Sequence, residues 1–183
     1  MEMSGTRVVA ARPETVWQAL NDPEALKPCI PGCESLTKDS DTHWQAVIAA
    51  KVGPVSARFN GTIDLADIVA PASYTLHFKG QGGAAGFANG EARVALSPAG
   101  GGQTSLAYTA RAQVGGKLAQ IGSRLIDGVA AKLADEFFEC FAARFEPADA
   151  PGASHPSAAR LPRWLVPVAI ATIVATGWLL ASH

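Results

Sequence analysis

Residues 117–145 read KLAQIGSRLIDGVAAKLADEFFECFAARF, a proline-free run patterned at helical spacing. Leu118, Ile121, Leu125, Val129, Leu133, Phe137, Phe141 and Phe145 recur every three or four residues, which lines one side of a helix. Arg124, Lys132, Asp135, Glu136 and Glu139 fall mostly away from that stripe. The spacing predicts one helix of roughly 28 residues, about 42 Å long. Its apolar side needs a cover, and the rest of the chain must supply it.

The cover is written upstream at a different period. From His43 the apolar residues alternate every second position, the mark of half-buried antiparallel strands. Trp44, Ala46, Ile48, Ala50 and Val52 fall on one face of the first strand; Val55, Ala57, Phe59, Gly61, Ile63 and Leu65 follow after a Gly53-Pro54 turn. Tyr74, Leu76, Phe78 and Gly80 form the next face, then Ala88 to Leu96, then Leu106 to Val114. Before these five strands, Met3–Ala10 reads as a strand and Glu14–Leu20 as a short helix. Asn21-Asp22-Pro23 then starts a second turn of helix reaching Lys27. Pro28-Cys29-Ile30-Pro31-Gly32-Cys33 reads as an irregular loop presenting Ile30.

Strands grouped together with helices at the ends give an α+β class, not a parallel α/β sheet. The simplest assembly is a curved antiparallel sheet closing around the long C-terminal helix. Its inward list is rich in small residues: Ala46, Ala50, Ala57, Gly61, Gly80, Ala88, Gly90, Ala92, Ala110 and Ala112. Interiors pack at a density of about 0.75, so such a face either draws the helix in or leaves a cavity. The Phe and Leu side chains on the helix hold the layers apart, which favours the cavity. Ile30, Pro31, Phe59, Phe78, Tyr108, Leu118, Ile121 and Leu125 are the expected lining.

Composition excludes several functions. The chain carries a net charge of −1 and is 48% hydrophobic, and through residue 146 acidic residues outnumber basic ones by two. No basic cluster offers itself to phosphates, so no nucleic-acid partner is expected. Cys29, Cys33 and Cys140 are too few for a disulfide framework, one is left over even if two pair, and their spacing fits no zinc site. The expectation is buried, inert thiols and no metal. His43 and His77 fall at outward strand positions beside charged neighbours, as solvated surface histidines do. Gly80–Gly86 joins two strands with no helix N-terminus behind it, so phosphate-loop mechanics are missing. No Ser-His-Asp order or paired-carboxylate spacing occurs, and no catalytic residue is expected.

Beyond Glu146 the composition shifts to Pro, Ala, Gly and Ser, which reads as a flexible linker over residues 147–163. Residues 164–181, WLVPVAIATIVATGWLLA, carry no charge and are just long enough to cross a hydrocarbon core of about 30 Å. Trp164 and Trp178 sit where interfacial anchors sit, and Arg160 and Arg163 flank the amino-terminal side. Basic flanks stay in the cytoplasm, and Met1–Ala10 has no apolar signal-peptide core. The expected arrangement is therefore a single-pass anchor at the C-terminus in the cytoplasmic membrane, with a domain of residues 1–146 on the cytoplasmic side.

This order of elements resembles the START-like (SRPBCC) or Bet v 1-like helix-grip fold. More specifically, Pro13-Glu14-Thr15-Val16-Trp17, Leu20-Asn21-Asp22-Pro23-Glu24-Ala25-Leu26 and Cys29-Ile30-Pro31-Gly32-Cys33-Glu34 are similar to the CoxG family of carbon monoxide dehydrogenase subunits over about residues 2–146. The resemblance implies association with a molybdenum-containing hydroxylase such as carbon monoxide dehydrogenase, in a non-catalytic role. Joined to the anchor and the apolar cavity, it leads to the expectation of a bound respiratory quinone, menaquinone or ubiquinone, with no covalent cofactor. The alternative is a ligand-free module that recruits the oxidoreductase, docking it on the loop Cys29, Ile30, Pro31, Gly32 and Cys33. A cyclase-type enzyme on the same fold would need an acid or base in the cavity, where Tyr108 alone stands.

Overall fold

The computed structural model describes residues 1–146. The period-two segments fold into strands β1 (Glu2–Val9), β2 (Cys33–Lys38), β3 (His43–Val52), β4 (Val55–Val69), β5 (Ser73–Gln81), β6 (Phe87–Gly100) and β7 (Gln103–Gly115). Helices α1 (Pro13–Leu20) and α2 (Pro23–Leu26) follow β1, and α3 (Lys117–Gln120) and α4 (Ser123–Ala143) follow β7. One antiparallel sheet takes the order β1-β7-β6-β5-β4-β3-β2, so β2 to β7 form a meander and β1 returns to the edge beside β7. This is the α+β architecture of a curved antiparallel sheet with helices laid on it.

The alternation read from the sequence sets the two faces. Trp44, Ala46, Tyr74, Val94, Leu96, Leu106 and Ala112 are buried on the inner face. The outer face carries a row of charge across six strands: His43, Asp64, His77, Glu91, Arg111 and Glu2 stand in register. His43 Nδ1 lies 2.6 Å from Asp64 Oδ1 and Arg111 lies 3.2 Å from Glu2. Exposed pairs of this kind contribute little stability. They do fix which side of the sheet faces water.

The main core forms where α1 and the C-terminal half of α4 meet β1, β5, β6 and β7. Val9, Val16, Leu20, Tyr74, Val94, Leu96, Leu106 and Phe141 make one buried cluster, and Phe141 is fully inaccessible. Thr104, also fully buried, donates its hydroxyl hydrogen to the Ala11 carbonyl at 2.6 Å. That bond ties the start of β7 to the turn leading into α1. Arg7 pairs with Asp135 and stands 5.7 Å over the Phe138 ring, which fixes β1 to the helix.

Two features differ from the sequence expectation. The first is β2, a strand that the alternation does not announce: Leu36 is its one strongly apolar residue, and a register shift between Cys33 and Ser35 breaks the pattern. The second is the long helix, expected as one piece from Lys117 to Phe145. It breaks after Ile121, where Gly122 takes φ +98° and ends one helix before the next begins. The break re-phases the stripe. Ile126 is buried in α4, while Leu125 and Leu133 are 45% and 37% exposed. Phe137, Phe141 and Phe145 keep their expected places in or against the core.

Among the described residues no helix is long and apolar enough to cross a membrane. The expected linker, the span Trp164–Ala181 and its flanking Arg160 and Arg163 lie outside the described residues.

Candidate ligand site

The inner face owes its shape to aromatic residues laid across glycines of the neighbouring strand. Phe78 pairs directly with Gly90 and Tyr108 with Gly5. A Cβ on Gly90 would fall 2.7 Å from the Phe78 ring, and one on Gly5 would fall 2.8 Å from the Tyr108 ring. Phe59 likewise covers Gly82, where a Cβ would collide with its ring. Rings placed this way lie down on the sheet instead of standing up from it. Together with Ala57, Gly61, Gly80, Ala88 and Ala92 they make a low floor, and all of these residues remain half-buried.

At one end the floor is roofed. Leu20 and Leu26 of the short helices, with Ile30, close over Leu36, Trp44, Ile63, Leu65, Tyr74 and Leu76 and leave an apolar cavity of about 70 Å³. That is well below the 300–1,000 Å³ of ordinary small-molecule sites. Burial pushes the Tyr74 phenol well above its ordinary range, so it stays protonated. A second, wider recess of about 370 Å³ opens between the first turns of α4 at Ser123, Ile126 and Asp127 and the end of β7 at Ala112 and Val114. Among the described residues no group of three His, Cys, Asp or Glu could hold a metal ion.

The eight residues expected to line a cavity are spread along the inner face. Ile30 lines the small apolar cavity, and Pro31 is half-buried next to it in sequence. Phe59 and Phe78 form the floor as described. Tyr108 stacks on Phe138 with ring centroids 4.8 Å apart and packs against the main core. Leu118 is buried in α3, Ile121 is half-buried at the helix break, and Leu125 reaches the β3–β4 turn at Gly53. The cavity wall formed by Leu20, Leu26 and Leu36 was missed. Alternation identifies what faces inward, but not which part of the face the short helices roof.

The loop from Cys29 to Cys33 also differs from its expected exposure. Ile30 packs inward against the Leu36, Trp44 and Ala46 cluster. Gly32 takes φ +74°, where a Cβ would collide with the Ala49 carbonyl, and its own carbonyl accepts from the Ala49 N–H at 2.8 Å. Cys29 is bonded to Cys140 of α4, 111 residues away, with their Cα atoms 5.2 Å apart. The expectation of three inert thiols is therefore corrected for two of them, because the fold brings the loop and the helix side by side. Cys33 remains a free thiol, its Sγ donating to the Ser35 carbonyl at 3.4 Å. Burial pushes its pKa up, against a smaller lowering by Lys27.

The family pattern described as CoxG, a carbon monoxide dehydrogenase subunit, matches residues 5–146. The chain belongs to this family. The match coincides with the described domain, including the loop and both short helices. A conserved protein from Geobacillus kaustophilus is 34% identical, with a TM-score of 0.74 over 79% of this chain and 95% of its own. That crystal structure is almost wholly the one domain, so the domain stands alone there as a folded unit. A START superfamily protein from Mycobacterium smegmatis has a TM-score of 0.59 at 17% identity over 79% of this chain and 96% of its own. The Zhui aromatase/cyclase from Streptomyces sp. R1128 has a TM-score of 0.59 at 12% identity, over 79% and 93%. These two share the fold. No curated protein matches the chain.

Proposed function

We propose that this chain is a membrane-anchored, non-catalytic accessory of a molybdenum-containing hydroxylase of the carbon monoxide dehydrogenase type. It holds an apolar ligand, a respiratory quinone, between the sheet and the helical layer, and it links the enzyme to the cytoplasmic membrane through residues 164–181. The family description ties the domain to carbon monoxide dehydrogenase. The observation that supports the ligand reading is the inner face itself, aliphatic and aromatic yet outside the buried core: Phe59, Phe78 and the small residues around them stay only half-buried.

A quinone tail gains about 25 cal/mol for each Å² of apolar surface removed from water, but little against lipid. The domain must therefore resemble the bilayer in polarity, and an aliphatic and aromatic inner face does. Solvent extraction of purified residues 1–146, followed by mass spectrometry, tests the reading. A co-purified quinone supports it.

One observation favours a second reading. The small cavity of about 70 Å³ admits no whole quinone as it stands, which suits a ligand-free module that recruits the oxidoreductase. An empty domain that still binds the oxidoreductase would select that alternative.

A further inference from the structure

Trp44 forms part of the wall of the roofed cavity and is 3% exposed. Its indole Nε1 is one of two buried side-chain polar atoms without a hydrogen-bond partner among the described residues; the other, Asn89 Oδ1, belongs to β6. An unmade hydrogen bond in an apolar surrounding is costly, and proteins seldom leave one without a use. The remaining wall offers the indole little: seven of its residues are Leu or Ile, and the eighth is Tyr74. Lys38 Nζ, paired with Asp41 at 2.9 Å, stands 5.9 Å over the indole ring, a cation–π contact with the ring face that gives the N–H no acceptor.

The cavity is also placed to be one end of a longer site. Ile63 in its wall pairs directly with Phe78, and the next inward pair along the same strands is Gly61 with Gly80. The inner face thus runs from the roofed cavity onto the half-buried floor without a charged side chain between them. A molecule with a small polar head and a long apolar body would put its head under the roof and its body along Phe78, Gly61 and Gly80.

We propose that Trp44 is the head-group residue of the ligand site, its Nε1–H donating to an oxygen acceptor on an otherwise apolar, uncharged ligand. This inference rests on the functional reading above. It adds that the site selects for a carbonyl or ether oxygen instead of accepting any hydrocarbon, and that the head lies at the α1–α2 end of the sheet. Because the cavity holds only about 70 Å³, the assignment requires its walls to part when the head enters.

The test compares decylubiquinone with decylbenzene, which keeps the tail and lacks the acceptor, on residues 1–146 and on Trp44→Phe by equilibrium dialysis. The variant keeps an aromatic ring and removes the donor. It should bind the quinone about 2- to 10-fold more weakly, the worth of one neutral hydrogen bond, with decylbenzene binding unchanged. In the unsubstituted domain the indole N–H resonance of Trp44 should move downfield with the quinone and stay in place with decylbenzene, a readout that does not depend on the variant folding. Equal effects on both probes, or an indole resonance indifferent to the quinone, would overturn the assignment of Trp44 and leave the ligand reading intact. Binding of neither probe would overturn both.

Discussion

Joining Cys29 to Cys140 closes a loop across a separation of 111 residues and fixes the 3-10 turn Lys27–Cys29 to α4. In the chain-entropy account, a loop of that length lowers the freedom of the unfolded chain by an amount worth about 4.8 kcal/mol at 25 °C. Measured values for native disulfides run from about 2 to 5 kcal/mol. For a domain of this size 1 kcal/mol corresponds to about 3 °C in Tm, so dithiothreitol should lower the Tm of residues 1–146 by roughly 6 to 15 °C. Cys29→Ser/Cys140→Ser should start at the lower Tm and lose the response, while Cys33→Ser should keep it. Thiol counting under denaturing conditions supplies the second reading, with one free thiol expected per unreduced chain and three after reduction. Three thiols before reduction, or a Tm indifferent to reductant, would refute the link. Disulfides persist in oxidising compartments and are reduced in the cytosol, so the same count on protein trapped in cells reports whether the domain works in the cytosol or in an oxidising compartment.

Other expectations follow from single residues. Phe141→Ala empties the centre of the main core and should cost about 3–5 kcal/mol, read by urea unfolding. Tyr74 should make the domain alkali-sensitive. In the unfolded chain a phenol ionises near pH 10, whereas burial raises it in the fold, so its contribution is intact below about pH 10 and declines above it by up to about 1.4 kcal/mol per pH unit. Tyr74→Phe should flatten that decline in unfolding curves between neutral and strongly alkaline pH. Gly80→Val adds bulk to the inner floor at a position where a Cβ makes ordinary contact, 3.6 Å from the Ala88 carbonyl. It should leave the melting temperature within a few degrees and lower quinone capture by about tenfold or more.

Much of the fold was legible because the sheet is two-faced. Alternation over β3 to β7 placed Trp44, Tyr74, Val94, Leu96 and Leu106 inward and His77, Arg93 and Arg111 outward. Strand β2 was hidden because it has one strong apolar residue, Leu36, and a register shift. The long helix misled in a more instructive way. Periodicity carries Leu118 through Phe145 as one stripe, and the glycine at 122 is a modest cost within a helix of about 1 kcal/mol against alanine. Whether such a glycine continues the helix or breaks it depends on what the flanking turns pack against. Here Leu118 is buried on one side of the break and Ile126 on the other. The Cys29–Cys140 pairing left no trace in spacing, since two cysteines 111 residues apart meet only through the fold. The candidate site was legible as a set of inward residues but not as a cavity, because α1 and α2 roof Trp44, Ile63 and Tyr74, and no local pattern states where a short helix will settle. Trp44 had one possible signal, an indole at an inward position among aliphatic and alanine neighbours, where its N–H would need a partner.

The proposed role turns on the domain taking an apolar molecule out of a bilayer. Residues 1–146 can be incubated with menaquinone-containing liposomes, separated from them by flotation and assayed for quinone. About one quinone per domain is expected in the liposome-free fraction at saturation; quinone that stays wholly with the liposomes, beside folded and empty domain, would rule the role out.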